Sequence, residues 1–310
     1  MKSKSFGRKV WYLLKESFSE FINDNVPKLS ASLSYFTIFS MPPLLIIIIY
    51  LCGFFFGEEA VRGEIFGQIN VFVGNDAALQ IQEMIKNIKL SNNNGLAATI
   101  GVITLLLGAS GVFAEIQDSI NFIWGLKAKP KKGFIKFLKN RLMSFSMIGS
   151  MGFLLLVGLI VNSVMDVMSK RLENYFHHIT VSLFYALNIA VVFIIITLLF
   201  TVIFRTLPDG KVAYKDGIIG AAFTALLFMV GKFAIGAYLG SSSVASTYGV
   251  AGSLIVILLW VYYSAIILYF GAEFTKVYAL AFGKKIIPNN YAVYIKKEEI
   301  EIQPKVVAVN

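Results

Sequence analysis

The chain has 310 residues, of which 57% are hydrophobic and only 15% charged; its mean hydropathy is +0.72 and its formal net charge +10. A soluble domain carries roughly 25% charged residues, and so apolar a chain could not hide its surface in one water-exposed core, which excludes an ordinary soluble enzyme. Its solvent is a bilayer, where about 20 apolar residues cross the hydrocarbon layer as a helix.

The N-terminal stretch SFGRKVWYLLKESFSEFINDNV (5–26) is apolar at Phe6, Val10, Leu13, Leu14, Phe18, Phe21 and Ile22, interrupted by charges. That spacing predicts an amphipathic helix lying in the membrane interface, not a signal peptide. Uncharged stretches then predict six spans: near 30–56, near 95–114, between Arg141 and Asp166, near 179–204, about 214–239 and about 247–272. The pair Pro42-Pro43 kinks or breaks the first span. A second amphipathic helix is expected over 75–88, with Leu79, Ile81, Met84, Ile85 and Ile88 towards the membrane. From Phe233 to Ala272 the chain carries no charge for 40 residues, which as one helix would be ~60 Å long, about twice a bilayer core. It must break, and GSSSVASTYG (240–249) is the place. From Pro288 onward the pattern is polar and short, and a flexible tail is expected.

Lys and Arg in the loops set the orientation. The N-terminal segment, the 2–3 loop, the 4–5 loop and the tail hold 6, 7, 3 and 6 of them, 22 in all; the 1–2, 3–4 and 5–6 loops hold 5. The expected fold is therefore an all-α polytopic membrane protein with six transmembrane helices and cytoplasmic N- and C-termini. It divides into a cytoplasmic amphipathic segment (1–28), a six-helix domain (29–275) and a cytoplasmic tail (276–310). The net positive charge, which in a soluble protein would suggest nucleic acid, reads as topology and attraction to anionic headgroups.

Enzyme signatures are scarce. The two histidines, His177 and His178, are adjacent in a short external loop and lack spaced acidic or cysteine partners, so no metal site is expected. There is no phosphate-binding loop, no nucleophile elbow and no cofactor motif, and Cys52 stands alone and cannot form an internal disulfide. The polar residues near span ends say more. Glu115, Gln117, Asp118 and Asn121 fall at the end of span two, with Glu115 and Asp118 on one helix face. Arg205 and Asp209 end span four, and Glu273 ends span six. All lie on one side, as a salt-bridged collar of helix ends or as a polar gate. Lys232 differs. It is the one charge within residues 217–272 and sits ~28 Å along a helix from Ala213. Glu273 is at the opposite end of the neighbouring span and cannot pair with it if both helices are continuous. Lys232 then snorkels outward, meets another partner or lines a wet cavity. GIIGAAFTALLF (217–228) lays small residues Gly217, Gly220, Ala221, Thr224 and Ala225 along adjacent faces, where helix backbones can approach closely.

Four blocks, SYFTIFSMPPLLIII, SGVFAEIQDSINFIWG, LPDGKVAYKDGIIGA and YGVAGSLIVILLWVYYSAIILYFGAEF, resemble the YihY/BrkB family of bacterial inner-membrane proteins from about residue 10 to 283. The family pattern carries over Pro42, Gln117, Asp118, Asn121, Leu207, Pro208, Lys232, Tyr248, Gly249, Trp260, Gly271 and Glu273. It departs at Asp209, where the family usually has Asn, and Glu115 is not one of its positions. The resemblance implies six membrane helices, a location in the bacterial cytoplasmic membrane and a link to envelope-lipid transport. It supplies no catalytic residues, although members have been called virulence factors and once a ribonuclease.

Three functions compete. A transporter or lipid-handling protein fits intramembrane polar residues, a broken span and no enzyme motif. A structural or partner-binding membrane subunit fits the same facts. A nuclease fits only the basic 2–3 loop and an old family label, and is not expected. Lys232, Tyr248, Asp118, Asn121, Gln117 and Glu273 are the expected substrate-binding residues, and Pro42, Pro43, Pro208, Gly249 and Gly271 the structural ones. Membrane lipids, anionic ones included, and envelope proteins are the expected partners; nucleic acid and cofactors are not.

Overall fold

A computed structural model describes residues 6–40, 79, 111–129, 179–241 and 252–295. The expectations for Pro42, Pro43, Cys52, His177, His178, Tyr248, Gly249, the third span and the 75–88 helix (Leu79 apart) lie outside these residues. The described chain is mostly helical, with four short strands and the turns that join them.

Helix α1 (Phe6–Asn23) stops at a turn over 24–25. Asn25 there has φ 51°, a left-handed conformation that asparagine tolerates better than most residues. Pro27 then falls in the first turn of α2, described over 26–40, where its missing N–H removes no helical bond. The hydroxyls of Ser30, Ser34, Thr37 and Ser40 donate to the carbonyls four residues back at 2.8–2.9 Å. A hydroxyl satisfied by its own helix can enter apolar surroundings without leaving a donor unpaired.

Helix α3, described over 111–123, ends where Gly125 turns at φ 65° into strand β1 (Leu126–Ala128). After it come α4 (Ile179–Thr206), β2 (Gly210–Lys211), α5 (Tyr214–Ser241), α6 (Gly252–Ala281), β3 (Ile287–Pro288) and β4 (Ala292–Tyr294). Among the described residues, three stretches are long and apolar enough to cross a membrane: Ala186–Thr206, Tyr214–Leu239 and Leu254–Ala281. Only 28%, 28% and 39% of their most apolar windows are buried inside the protein. Leu187, Ile194, Leu198, Leu226, Val230, Phe233 and Leu258 therefore point outward, an apolar surface suited to lipid and not to water.

The expected break lies between Ser241 and Gly252. Helices α5 and α6 pack antiparallel across it. A Cβ on Gly220 would run into Thr275, and one on Gly271 into Thr224, so each glycine receives the other helix's threonine. Both threonine hydroxyls donate to the carbonyl of the glycine four residues earlier, at 2.7 Å. Further along, Gly231 faces Tyr263 and Ile267. Small faces thus bring the two backbones together, as the sequence suggested.

Helix α6 runs past the expected boundary at 275 to Ala281. The charge of Lys276 does not end it, because carboxylates from α1 and α6 surround that ammonium. The segment expected as a flexible tail also holds structure. Strand β3 pairs antiparallel with β2, and β4 with β1. The alternation was too short to read as strands, and their partners are loop residues far back in the chain. Gly210 lies where a Cβ would strike the methyl ends of Leu126 and Ile286, so a larger residue in β2 would push those side chains aside.

The buried core gathers at the end of the bundle that carries the α4–α5 loop. It joins Val26 and Leu33 of α2, Ile120, Ile123 and Trp124 of α3, Phe204, Leu207, and Leu268, Tyr269 and Ala272 of α6. The Trp124 indole donates to the Ala272 carbonyl at 3.0 Å, locking α3 onto α6.

Candidate functional site

Asp209 is the centre of a polar knot at this loop end. The chain leaves α4 through the buried sequence Leu207-Pro208-Asp209-Gly210. Proline cannot continue a helix and fixes its own φ, which starts the turn. Asp209 is 5% exposed. Its Oδ1 accepts from Gln117 Nε2 and its Oδ2 from Asn121 Nδ2, both at 3.0 Å. Its own backbone N–H donates to Asn121 Oδ1 at 2.8 Å, and its carbonyl accepts from the Asn289 N–H at 2.9 Å. Burial raises the Tyr291 hydroxyl above the usual tyrosine range, and the Asp209 carboxylate beside it adds to that shift. Asn289 Nδ2 donates to the same hydroxyl at 3.3 Å. One loop aspartate, through its carboxylate and its backbone, therefore ties α3, the α4–α5 turn and the C-terminal strands together.

Beside the knot lies a cavity of about 280 Å³, lined among others by Gln117, Asp118, Asn121, Lys127, Asp209 and Ile295. Its walls offer two carboxylates, two amides and one ammonium, which can hydrogen-bond a small polar group or water. Asp118 enters it from an exposed position; Glu115, one turn away, instead accepts from Ser119 at 3.4 Å and is not among its lining residues.

The expected binding residues thus separate into groups. Gln117, Asp118 and Asn121 come together. Glu273 does not join them. It is fully buried in the α1–α6 contact, where Lys276 Nζ reaches its Oε2 at 3.2 Å, Glu20 at 2.5 Å and Asp24 at 3.5 Å. Lys232 is separate again. The register that sets Gly220 against Thr275 puts Glu273 level with residues near 222, about ten residues and ~15 Å from Lys232. Lys232 is half-buried, with Nζ 5.3 Å from the Phe233 ring centroid.

The collar of charges is only partly built from ion pairs. Three ion pairs converge on Lys276. Asp209 uses neutral amides, and the Arg205 guanidinium lies over the Tyr214 ring. The sequence reading missed Glu20, Asp24, Asn289 and Tyr291. Only the spacings of Glu20 to Asp24 and Glu273 to Lys276, four and three residues, signalled shared helix faces. Nothing local joins the two pairs.

The virulence factor BrkB family model matches residues 17–290. A UPF0761 membrane protein of Saccharophagus degradans is 26% identical over 263 residues, covering 84% of this chain and 58% of its own length. The ribonuclease-like protein YfkH of Bacillus subtilis is 25% identical over 280 residues, covering 89% and 97%. A UPF0761 membrane protein of Haemophilus influenzae is 26% identical over 275 residues, covering 87% and 93%. The chain therefore spans little more than half of some relatives and nearly all of others. No solved structure matches. Apart from the wording of the YfkH name, none of these descriptions points to a catalytic family. The family model over most of the chain, the membrane-protein relatives and the apolar helices agree: this is a membrane protein, and it belongs to the virulence factor BrkB family.

Proposed function

We propose that the chain is a six-span protein of the bacterial cytoplasmic membrane with both termini in the cytoplasm, and that it transports or otherwise handles an anionic envelope lipid. The 22-to-5 asymmetry of Lys and Arg supports the orientation. Exposed Trp11, Tyr12, Phe18 and Ile22 support α1 as a helix resting in the interface.

The observation that carries the lipid reading is Lys232. It lies 16 residues after Asp216, ~24 Å further along α5, and no other charge falls between 217 and 272. An ammonium at that depth is expensive unless it meets water, a headgroup or an acceptor. Lysine binds phosphate as a compact point charge, and low dielectric strengthens that attraction. The serines and threonine of 241–247 add hydroxyls to the sequence beyond it. The test is Lys232→Met, which keeps the bulk of the stem and removes the charge. The variant should fold normally yet lose co-purifying anionic lipid or its envelope phenotype. Unchanged lipid content with full complementation would leave simple snorkelling as the account.

The second reading is a subunit that binds partners and transports nothing. One observation favours it: the Asp209 carboxylate is taken up by its own neighbours Gln117 and Asn121, as in a structural joint.

A further inference from the structure

The α1–α6 contact holds more acid than base. Glu20, Asp24 and Glu273 each place a carboxylate oxygen within 4.8 Å of the others. Lys276 Nζ is bonded to all three, at 2.5, 3.5 and 3.2 Å. Three carboxyl groups thus face a single ammonium. Buried charge without compensation is strongly unfavourable.

Two buried polar atoms in this contact point to a missing partner. Glu273 is fully buried, and its Oε1 has no hydrogen-bond donor among the described residues. Ser17 is also fully buried, and its hydroxyl has no partner among them. Ser17, Glu20 and Asp24 are spaced by three and four residues, so they share one face of α1 and of the turn that ends it. Leu13, one turn before Ser17 on that face, packs with Phe274 and Val277 of α6. A hydroxyl and a carboxylate oxygen left unpaired at such a contact would each cost about 1–3 kcal/mol unless a further group meets them.

The donors are hard oxygens, the kind that hold calcium, magnesium and manganese. Oxygens on opposite sides of an ion at ~2.4 Å stand at most ~4.8 Å apart, so the carboxylates are already close enough to share one. A cavity of about 210 Å³ adjoins them, lined by Tyr12, Glu16, Glu20, Lys276 and Leu280 among others. It has room for a lysine stem and offers the Glu16 carboxylate to a displaced ammonium.

We propose that Glu20, Asp24 and Glu273 form a divalent-cation site in which the Lys276 ammonium is the resident occupant. A divalent ion entering from the cavity takes the carboxylates, and the lysine swings out towards Glu16. Without the ion the tethered ammonium keeps α1 on α6; with it, the ion neutralises the carboxylates. This goes beyond the lipid reading and does not depend on it.

The test uses the full chain in detergent, with Mn²⁺ binding followed by electron paramagnetic resonance and thermal stability followed in parallel. Wild-type protein should bind Mn²⁺ and be stabilised by it, with no matching effect of Na⁺ at equal ionic strength. Glu273→Gln should weaken binding at least about tenfold, having lost one of the charged ligands. Lys276→Met should bind at least about tenfold more tightly than wild type, since the competing charge is gone; its stability should fall without metal and return with it. Tighter binding in that variant separates this site from a merely structural ion cluster. Should Lys276→Met not fold, wild type against Glu273→Gln decides. Equal Mn²⁺ behaviour in those two, including no binding by either, overturns the site. A folded Lys276→Met that binds no more tightly than wild type overturns the exchange.

Discussion

Asn121 and Asp209, 88 residues apart, exchange two hydrogen bonds, amide to carboxylate and backbone N–H to amide. The pairing satisfies the first N–H after Pro208 and half of a buried carboxylate at once. Asn121→Leu removes both bonds and strands two buried groups, each costing about 1–3 kcal/mol, so a loss of about 2–6 kcal/mol is expected. Asp209→Asn should cost less than half as much. The new amide can still accept from Asn121, Gln117 can turn its own amide to accept, and a buried charge disappears. Thermal midpoints of the detergent-purified variants compare the two. Equal damage would mean that the charge on Asp209, not the bonding pattern, holds the knot.

Thr224 and Gly271 offer a second measurement. Gly271→Ala puts a methyl group into the space of the Thr224 side chain and should destabilise by about 1–3 kcal/mol, as overpacking does. Thr224→Gly alone opens a gap and weakens α5. The double variant should recover much of the loss, with a coupling energy of about 1–2 kcal/mol in a double-mutant cycle. Additive losses would show that the helices do not meet there.

The membrane class and the separation of α5 from α6 were legible because composition, charge-free length and small-residue spacing are local signals. The small faces around Gly220 and Thr224 named the helix contact before its partner was known. Half of the candidate site was legible as well. Gln117, Asp118 and Asn121 share one helix, and the resemblance pointed to them. What could not be read was long-range pairing. Asp209, a departure from the family pattern, gave no hint that it would receive both amides. Glu273 and Lys276 gave none that Glu20 and Asp24, some 250 residues earlier, would close around them. The strands at 287–294 are too short to show a period, and their pairing depends on where β1 and β2 lie.

Those strands make the C-terminal segment testable. The Ile295 N–H donates to the Gly125 carbonyl at 2.7 Å, and the Lys129 N–H to the Tyr291 carbonyl at the same distance. Deleting 286–310 removes these bonds, both strand pairs and the buried Ile286. It should lower the thermal midpoint far more than deleting 296–310. Equal effects would mean that the strands add no stability.

Nuclease activity should be absent from the pure protein. Metal-assisted cleavage needs clustered acidic ligands beside a substrate groove; Asp118 and Asp209 sit with amides in a cavity of only about 280 Å³, and Glu20, Asp24 and Glu273 adjoin one of only about 210 Å³. Any residual RNA cleavage should survive Asp118→Asn. Its loss in a normally folded variant would restore the enzymatic reading.

Topology is the broadest prediction. The antiparallel α5–α6 pair brings the start of one helix beside the end of the other, so Arg205, Lys211, Lys215, Lys276, Lys284 and Lys285 collect at the same end of the bundle. The link between the two helices, 242–251, carries no Lys or Arg. Cationic ends stay in the cytoplasm during insertion, so the loop end with its Asp209 knot should face inward and the 242–251 link outward. Reporter fusions at Lys132 and Lys297 should read cytoplasmic, and fusions at Gly74 and Ser242 external. A cytoplasmic signal at Ser242 would mean that the α5–α6 hairpin does not cross the membrane as two spans. An external signal at Lys297 would reverse the whole bundle and move Asp209, its cavity and the Lys276 cluster to the outer face.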